Sequence, residues 1–289
     1  MSAPAETAYA KVNLALHVRA RRNDGYHALE SLFVFAGDGD LITAVPRDDG
    51  ALTLTIGGPF AAGLDVGAGN LVIRAAEALR AEAPHHRSER PLGAAIHLDK
   101  RLPVASGIGG GSADAAAVLR LLTRLWRIDV PPVRQQALAL SLGSDVPACL
   151  ASRTVRVEGR GERLVATDVP GLAGMPMLLV NPGLPVSTAA VFAGWDRVDR
   201  GPLTSGSLDA IVHDGRNDLQ PAAIRIAPVI ETMVAMLGEQ PGVRLARMSG
   251  SGATGFALFD SAAACRSAAD AVRAACPGWW VMETRIRNG

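Results

Sequence analysis

The stretch L-P-V-A-S-G-I-G-G-G-S-A-D-A-A, residues 102–116, places four glycines within five residues, directly ahead of a run rich in alanine and leucine. That run predicts a helix from about Ser112 to Trp126, with Ser112 at the expected N-cap. Glycine permits positive φ and a close approach of the backbone to a ligand. Successive N–H groups in such a loop, together with the positive end of the helix dipole, bind anions. A flexible, well-capped turn is the simpler alternative to a phosphate-binding loop.

Two familiar phosphate motifs do not match this stretch. The P-loop requires a Gly-Lys-Ser/Thr sequence, and no lysine follows the glycines here. The dinucleotide-binding fingerprint requires its third glycine at the position that Ser112 occupies. The loop is therefore predicted to be a phosphate cradle of another kind.

Composition narrows the class of protein. The chain has 289 residues, of which 48% are hydrophobic, so it can bury a large core. A formal net charge of +1 gives no electrostatic argument for nucleic-acid binding. Three widely spaced cysteines indicate a reducing compartment rather than a disulfide framework. The first residues do not resemble a signal peptide, and no apolar run is long enough to cross a bilayer. We therefore expect a cytoplasmic protein.

Lysine is rare in this chain. Of 29 basic residues only Lys11 and Lys100 are lysines, and the rest are arginine. Lys11 directly precedes V-N-L-A-L-H-V, residues 12–18. The alternation of apolar and polar residues there predicts a strand with Lys11 and Asn13 on one face. An ammonium is more compact than a guanidinium, so a tight catalytic site can require lysine. A solvent-facing lysine on an edge strand is the alternative.

The rest of the pattern alternates between helices and strands. Asp24-Gly25 predicts a hairpin, and further strands are expected at Leu41–Val45 and Ala51–Ile56. From Met177 onwards the order of predicted elements is βαββαβ, which is that of a ferredoxin-like unit.

Five segments together resemble the GHMP kinase superfamily. They are the glycine loop at 103–116, A-Y-A-K-V-N-L-A-L-H-V at 8–18, R-N-D-G-Y-H at 22–27, G-S-D-V-P at 143–147 and M-S-G-S-G-A-T-G-F-A at 248–257. The second and third are most similar to the branch whose substrate, diphosphocytidyl-methylerythritol, carries a cytidine diphosphate group. Two departures are small: Ala113 replaces a usual serine, and Ala148-Cys149 replaces a usual aromatic.

This resemblance implies an α+β fold with two domains. The expected division is an N-terminal ATP-binding domain at residues 1–155, with a left-handed βαβ unit, and a C-terminal ferredoxin-like domain at 156–289 on the substrate side. Substrate and ATP are expected to meet between the two domains.

The resemblance also assigns residues. Asp145 is expected to be the general base, with a turn or capping aspartate as the alternative, and Lys11 is expected to stabilise the alkoxide. The expected ATP-binding residues form the loop: Pro103, Val104, Ala105, Ser106, Gly107, Ile108, Gly109, Gly110, Gly111, Ser112 and Ala113. The expected substrate-binding residues are Asn13, Tyr26, His27, Thr188, Phe192, Ser249, Gly250 and Ser251.

The function implied is ATP-dependent phosphorylation of the 2-hydroxyl of the cytidyl substrate, in the non-mevalonate route to isoprenoid precursors. ATP and Mg²⁺ are the expected cofactors, although no acidic pair in the sequence identifies itself as the metal site. The expected partner is the small-molecule substrate, without nucleic acid or membrane, in a monomer or homodimer. The alternatives are another small-alcohol kinase of the homoserine or mevalonate type, or an inactive regulatory protein with this fold.

Overall fold

The computed structural model describes residues 3–82, 91–204 and 206–288, which form two compact units. The first unit contains the residues up to Ala10, Asp38–Val104 and Gly110–Ala151. The second contains Lys11–Gly37, Ala105–Gly109 and the chain from Ser152 onwards. Each unit is thus assembled from separated segments, and a single domain boundary near residue 155 stays a prediction.

Two long strands contribute to both units. β1 spans Ala5–Arg21 and β2 spans His27–Arg47, and they pair with each other. The turn between them has Gly25 at φ +84°, as the Asp-Gly pair predicts. The predicted separate strand at Leu41–Val45 is wrong, because it is the second half of β2. Gly39 lets the strand continue there: a Cβ at this position would lie 1.9 Å from the carbonyl oxygen of Ala8.

The first unit contains a βαβ unit. β3 (Leu52–Gly57) runs parallel to β4 (Gly93–Asp99), with α1 (Leu71–Ala81) between them in the chain. Leu41–Arg47 of β2 pairs antiparallel with β4 on its other edge. The remaining helices of this unit are α2 (Gly110–Trp126), α3 (Pro132–Leu142) and α4 (Val146–Ala151). The left-handed sense expected for the βαβ unit stays a prediction.

α2 forms the centre of the helical layer because its sequence is alanine-rich and almost wholly apolar on one side. Its residues from Ala113 to Leu119 are all buried, and it packs against α1 and α4. Small side chains allow this close helix packing, and alanine has the highest helix propensity.

After Ser152 the second unit continues with a hairpin, β5 (Val155–Gly159) and β6 (Arg163–Ala166), and β5 pairs with Leu29–Phe33 of β2. Its larger part has the strands β7 (Pro176–Asn181), β8 (Val243–Met248), β9 (Gly255–Phe259) and β10 (Trp280–Arg285). The helices are α5 (Thr188–Ala193), α6 (Leu208–His213), α7 (Gln220–Ile226), α8 (Val229–Gly238) and α9 (Ala262–Ala275).

The sheet of the larger part confirms the predicted ferredoxin-like order. The strands lie in the order β10-β7-β9-β8 and every neighbouring pair is antiparallel. The long connections β7 to β8 and β9 to β10 carry helices, which gives the βαββαβ pattern. Leu178, Val180 and Phe259 of the sheet join Ile230 and Val272 of α8 and α9 in one apolar core. In the described part of the chain, no helix is both long and apolar enough to span a membrane.

Candidate active site

Lys11 and Asn13 lie side by side on β1 in the second unit, as the strand alternation predicts. Both are buried, with 5% and 2% of their surface exposed. The Lys11 ammonium donates to Oδ1 of Asn13 at 2.9 Å and lies 4.5 Å from the centre of the Phe33 ring. A solvent-facing lysine on an edge strand is therefore excluded.

Asn13 links β1 to two other segments. Its backbone N–H donates to Oγ of Ser249 at 3.1 Å, and its side-chain amide donates to Oγ of Ser31 at 2.8 Å. Ser31 in turn donates to the carbonyl of Ala15 at 2.6 Å. The sequence reasoning missed Ser31, because a single serine within strand β2 belongs to no motif. Each of these buried polar groups has a partner, which holds Lys11 and Asn13 in a fixed orientation.

The glycine loop has an unusual backbone. Ala105, Gly107 and Gly109 have φ values of +52°, +80° and +65°. Three of its carbonyls are bound by protein donors: Ser106 by the N–H of Thr254 (3.1 Å), Gly107 by Oγ of Ser249 (3.1 Å) and Ile108 by the N–H of Lys11 (2.9 Å). These three carbonyl oxygens point at donors within the protein. The peptide N–H groups are the backbone groups with which such a loop binds an anion.

Two glycine segments, the glycine loop at 103–116 and the segment at 248–257, approach each other through their backbones. A Cβ on Gly107 would lie 2.5 Å from the carbonyl oxygen of Ser249 and 2.8 Å from that of Gly252. A Cβ on Gly250 would lie 2.8 Å from the carbonyl oxygen of Gly107, and its φ is +57°. The side chain of Asn217 donates to the carbonyls of Met248 and Gly250, both at 2.8 Å. Asn217 belongs to this site's framework and was also missed by sequence reasoning, because it lies outside the five motifs.

The predicted substrate-binding serines differ in their surroundings. Ser249 is fully buried, and its hydroxyl links the two glycine segments. Ser251 shares a 2.9 Å hydrogen bond with the hydroxyl of Thr188, the first residue of α5. Contacts of these residues with substrate stay predictions.

The aromatic residues predicted to recognise cytosine fall into two groups. The rings of His27 and Phe192 lie 5.0 Å apart, and His27 also meets Trp195 edge-on at 5.7 Å. Tyr26 is 59% exposed and has the guanidinium of Arg160 over its ring, 5.0 Å from the ring centre. The second unit therefore brings His27 and Phe192 together and adds Trp195, which lies outside the motifs that the sequence analysis used.

His27 is held in its neutral form near pH 7. Partial burial lowers the pKa of its imidazole, and the positive charge of Arg21 lowers it further. A neutral imidazole presents one N–H donor and one acceptor nitrogen, which suits it to contact the polar edge of a base.

The start of α2 and Asp145 lie in the first unit. α2 begins at Gly110, so Ser112 lies inside its first turn, and the predicted N-cap role of Ser112 is wrong. Gly110 and Gly111 are helical themselves, which moves the helix N-terminus two residues earlier. Ala113 is buried in this turn, which suits the small side chain found there.

Asp145 directly precedes α4, and its carbonyl accepts the N–H of Cys149 at 3.0 Å. Its side chain therefore stands at a helix start, where a carboxylate is favourably placed. This agrees with the capping alternative, and the proton-accepting role stays a prediction.

Among the described residues, no group of three or more His, Cys, Asp or Glu side chains is arranged to hold a metal ion.

Family models match both halves of the chain. The GHMP kinases N terminal domain matches residues 70–153, and the GHMP kinases C terminal domain matches residues 205–278. The chain is 53% identical to the 4-diphosphocytidyl-2-C-methyl-D-erythritol kinase of Rhizorhabdus wittichii, over 98% of this chain and 95% of that protein. It is 48% identical to the Cereibacter sphaeroides protein of the same name, over 96% and 98%.

Solved structures agree with this assignment. A crystal structure of 4-(cytidine 5'-diphospho)-2C-methyl-D-erythritol kinase matches with a TM-score of 0.80 and 34% identity, covering 99% of this chain and 100% of that one. The mevalonate kinase of Methanococcus jannaschii matches with a TM-score of 0.71 at 9% identity, covering 99% of each, and shares the fold alone. The chain therefore belongs to the GHMP kinases and, within them, to the family of 4-diphosphocytidyl-2-C-methyl-D-erythritol kinases.

Proposed function

We propose that this protein transfers the γ-phosphoryl group of ATP to the 2-hydroxyl of 4-diphosphocytidyl-2-C-methyl-D-erythritol, in the non-mevalonate route to isoprenoid precursors. The observation that carries the proposal is the backbone hydrogen bond between Lys11 and the glycine loop. The backbone N–H of Lys11 holds the carbonyl of Ile108, while its ammonium is oriented by Asn13. A catalytic cation and an anion-binding loop therefore belong to one hydrogen-bonded assembly.

The phosphates of ATP bind to N–H groups of the loop and of the first turn of α2. Residues 105–109 supply peptide donors, and Gly110–Ser112 supply the unpaired N–H groups of a helix N-terminus. Mg²⁺ neutralises charge on the phosphate oxygens when it is bound. Because Mg²⁺ commonly keeps water and phosphate ligands and needs few from protein, we assign no residue of this chain to it.

Asp145 is the proposed proton acceptor. As the substrate oxygen bonds to the γ-phosphorus and the bond to the β-phosphate oxygen breaks, the hydroxyl proton passes to the carboxylate, and ADP leaves. The ammonium of Lys11 stabilises negative charge on the attacking oxygen. Asp145→Asn keeps the shape but removes the proton acceptor, so turnover should fall by about 10²-fold or more while ATP binding persists. Near-normal turnover would leave Asp145 as a capping residue only.

The cytidine end is proposed to bind between Tyr26 and Phe192, with the neutral His27 at the base edge. The contact of His27 with Phe192 supports the part of this proposal that concerns those two residues, because it places a polar edge beside an aromatic face. Stacking on an aromatic ring accepts any base, because every base has a π-face, so the donor and acceptor of His27 are proposed to supply the selectivity.

An ADP-release assay tests the proposed function. The purified protein is given ATP and Mg²⁺ with the cytidyl substrate, homoserine, mevalonate or galactose in turn. We expect turnover with the cytidyl substrate far above that with the others. Preference for homoserine or mevalonate would support the other small-alcohol kinases, and no turnover with any alcohol would support the regulatory protein. Location in the cytoplasm and a monomeric or dimeric state remain predictions.

A further inference from the structure

Three charged side chains meet in the interior of the first unit. The ammonium of Lys100 lies 2.6 Å from Oδ2 of Asp40 and 2.6 Å from Oδ2 of Asp114. All three side chains are at most 5% exposed. Asp40 belongs to β2, Lys100 directly follows β4, and Asp114 lies at the start of the second turn of α2. The cluster therefore ties three segments together.

The cluster surrounds the segment that leads into the glycine loop. Oδ1 of Asp40 accepts the backbone N–H groups of Arg101 and Leu102, at 2.6 and 2.8 Å. Lys100 also abuts Gly110, where α2 begins: a Cβ on Gly110 would lie 3.2 Å from the ammonium nitrogen. Asp114 is four residues further along α2, one turn above Gly110. Lys100 thus lies beside the first residue of α2 and is bonded to a residue one turn later.

The charges are unequal, since two carboxylates face one ammonium. Burial raises the pKa of Asp114 to about 7, with the nearby Asp40 carboxylate adding to the rise and Lys100 opposing it. Burial alone would lower the pKa of Lys100, but the two carboxylates outweigh it and raise that pKa. Oδ1 of Asp114 is buried with no hydrogen-bond partner among the described residues. The charged side chains of α1, which packs on α2, are Arg74, Glu77 and Arg80, and all three are exposed.

We propose that Lys100, Asp40 and Asp114 are positioning residues that hold the first turn of α2, and with it the N–H groups of Gly110–Ser112, in the geometry that binds nucleotide phosphate. This inference rests on the proposed function, because it assigns phosphate binding to that turn. The three residues act through the helix and are not themselves placed against the nucleotide.

The residue type fits this role. Lys100 is one of only two lysines among 29 basic residues. A compact ammonium can donate to two carboxylates at once and still leave room for the chain at Gly110, whereas the planar guanidinium of arginine is larger and donates in a fixed fork. The tight contact at Gly110 therefore selects lysine over the arginine used elsewhere.

A matched pair of variants tests the tie between α2 and Lys100. Asp114→Ala removes the tie but leaves Lys100 paired with Asp40, so no buried charge loses its only partner. Asp114→Asn removes the same charge but keeps an oxygen that can accept from Lys100. Binding of ADP with Mg²⁺ is measured by calorimetry at a temperature where each variant is folded.

We expect Asp114→Ala to weaken ADP binding and to lower kcat/KM for ATP by up to about 10²-fold, the size expected for a displacement near 1 Å. Asp114→Asn should stay within a few-fold of the wild type. Leu79→Ala, a cavity variant in α1 of the same unit, serves as the control because it should lower the melting temperature without changing ADP affinity. Wild-type ADP affinity in folded Asp114→Ala would overturn the proposal.

A second variant covers the case in which Asp114→Ala does not fold. Lys100→Arg keeps the charge but not the compact shape, and we expect it to weaken ADP binding. Wild-type affinity in Lys100→Arg would show that only charge compensation matters there and would overturn the positioning role. Because ADP binding needs no alcohol substrate, these outcomes are separate from any failure of the wild type to phosphorylate the cytidyl substrate.

Discussion

The two lysines of this chain are equally buried and differently surrounded. Lys100 lies between the carboxylates of Asp40 and Asp114, so its charge is compensated within the protein. Lys11 donates to the amide oxygen of Asn13 and lies over the ring of Phe33. The first arrangement ties three segments of the fold together, whereas the second orients an ammonium on a strand whose backbone binds the glycine loop. Residue type and burial are therefore not enough to assign a role, and the neighbouring groups decide it.

The largest expected effect that would test this comparison is on stability. Lys100→Met leaves two buried carboxylates without their cation, and breaking a buried ion pair in this way costs about 3–5 kcal/mol of folding free energy. Urea unfolding at pH 8 measures the change. The double variant Lys100→Met/Asp114→Asn should recover part of the loss, because it removes one of the stranded charges. A loss below about 1 kcal/mol, typical of an exposed pair, would contradict the structural role of Lys100.

The second prediction concerns catalysis at the other lysine. Lys11→Met removes an ammonium proposed to stabilise charge on the attacking oxygen, so kcat should fall by about 10²–10³-fold, equivalent to about 2.7–4 kcal/mol. The same change leaves the amide oxygen of Asn13 without its Lys11 donor, which costs about 1–3 kcal/mol of folding free energy. Steady-state kinetics beside urea unfolding separates the two effects. If Lys11→Met lost stability but kept kcat, the contrast between the lysines would disappear.

Sequence reasoning reached one lysine and passed over the other for a physical reason. Both stand out by composition, but only Lys11 lies in a strand whose alternation places it beside another polar residue. The partners of Lys100 are 60 residues before it and 14 after it, and no periodicity links them. Tertiary contacts of this kind follow from strand pairing, which a single sequence does not reveal.

The same limit applies to the fold. Local patterns predicted the hairpin at Gly25 and the βαββαβ order of the second half, because these depend on turn residues and short-range periodicity. They failed just before Leu41–Val45, which the pattern predicts as a separate strand but which continues β2. Gly39 is there to admit the carbonyl of Ala8 from the neighbouring strand, which is a long-range requirement.

A third, smaller effect sharpens the comparison at the cytidine end, which neither lysine contacts in our proposal. Tyr26→Ala and Phe192→Ala each remove a stacking surface worth about 1–3 kcal/mol, so KM for the cytidyl substrate should rise by about one or two decades. KM for ATP should hardly change. Melting temperatures serve as the control, because Phe192 also packs against the apolar core of the second unit. Equal changes in both KM values would contradict the cytosine sandwich.

The smallest predicted effect is the pH dependence that Asp114 gives to stability. Its pKa is about 7 in the folded protein, above the ordinary value of 3.8, so the folded state binds this proton more tightly than the unfolded state. The stabilisation is complete below the unfolded pKa and is lost as pH rises through the folded one. Between pH 6 and pH 8 the wild type should therefore lose about 1 kcal/mol of folding free energy that Asp114→Asn does not lose.

The measurement is urea unfolding at closely spaced pH values for both proteins, with Leu79→Ala as a variant that keeps the titration of Asp114. Lys100 stays charged throughout this range because its pKa is raised, so it contributes no step of its own. Identical slopes for wild type and Asp114→Asn would mean that Asp114 is ionised across the whole range, and that Lys100 compensates both carboxylates without a bound proton.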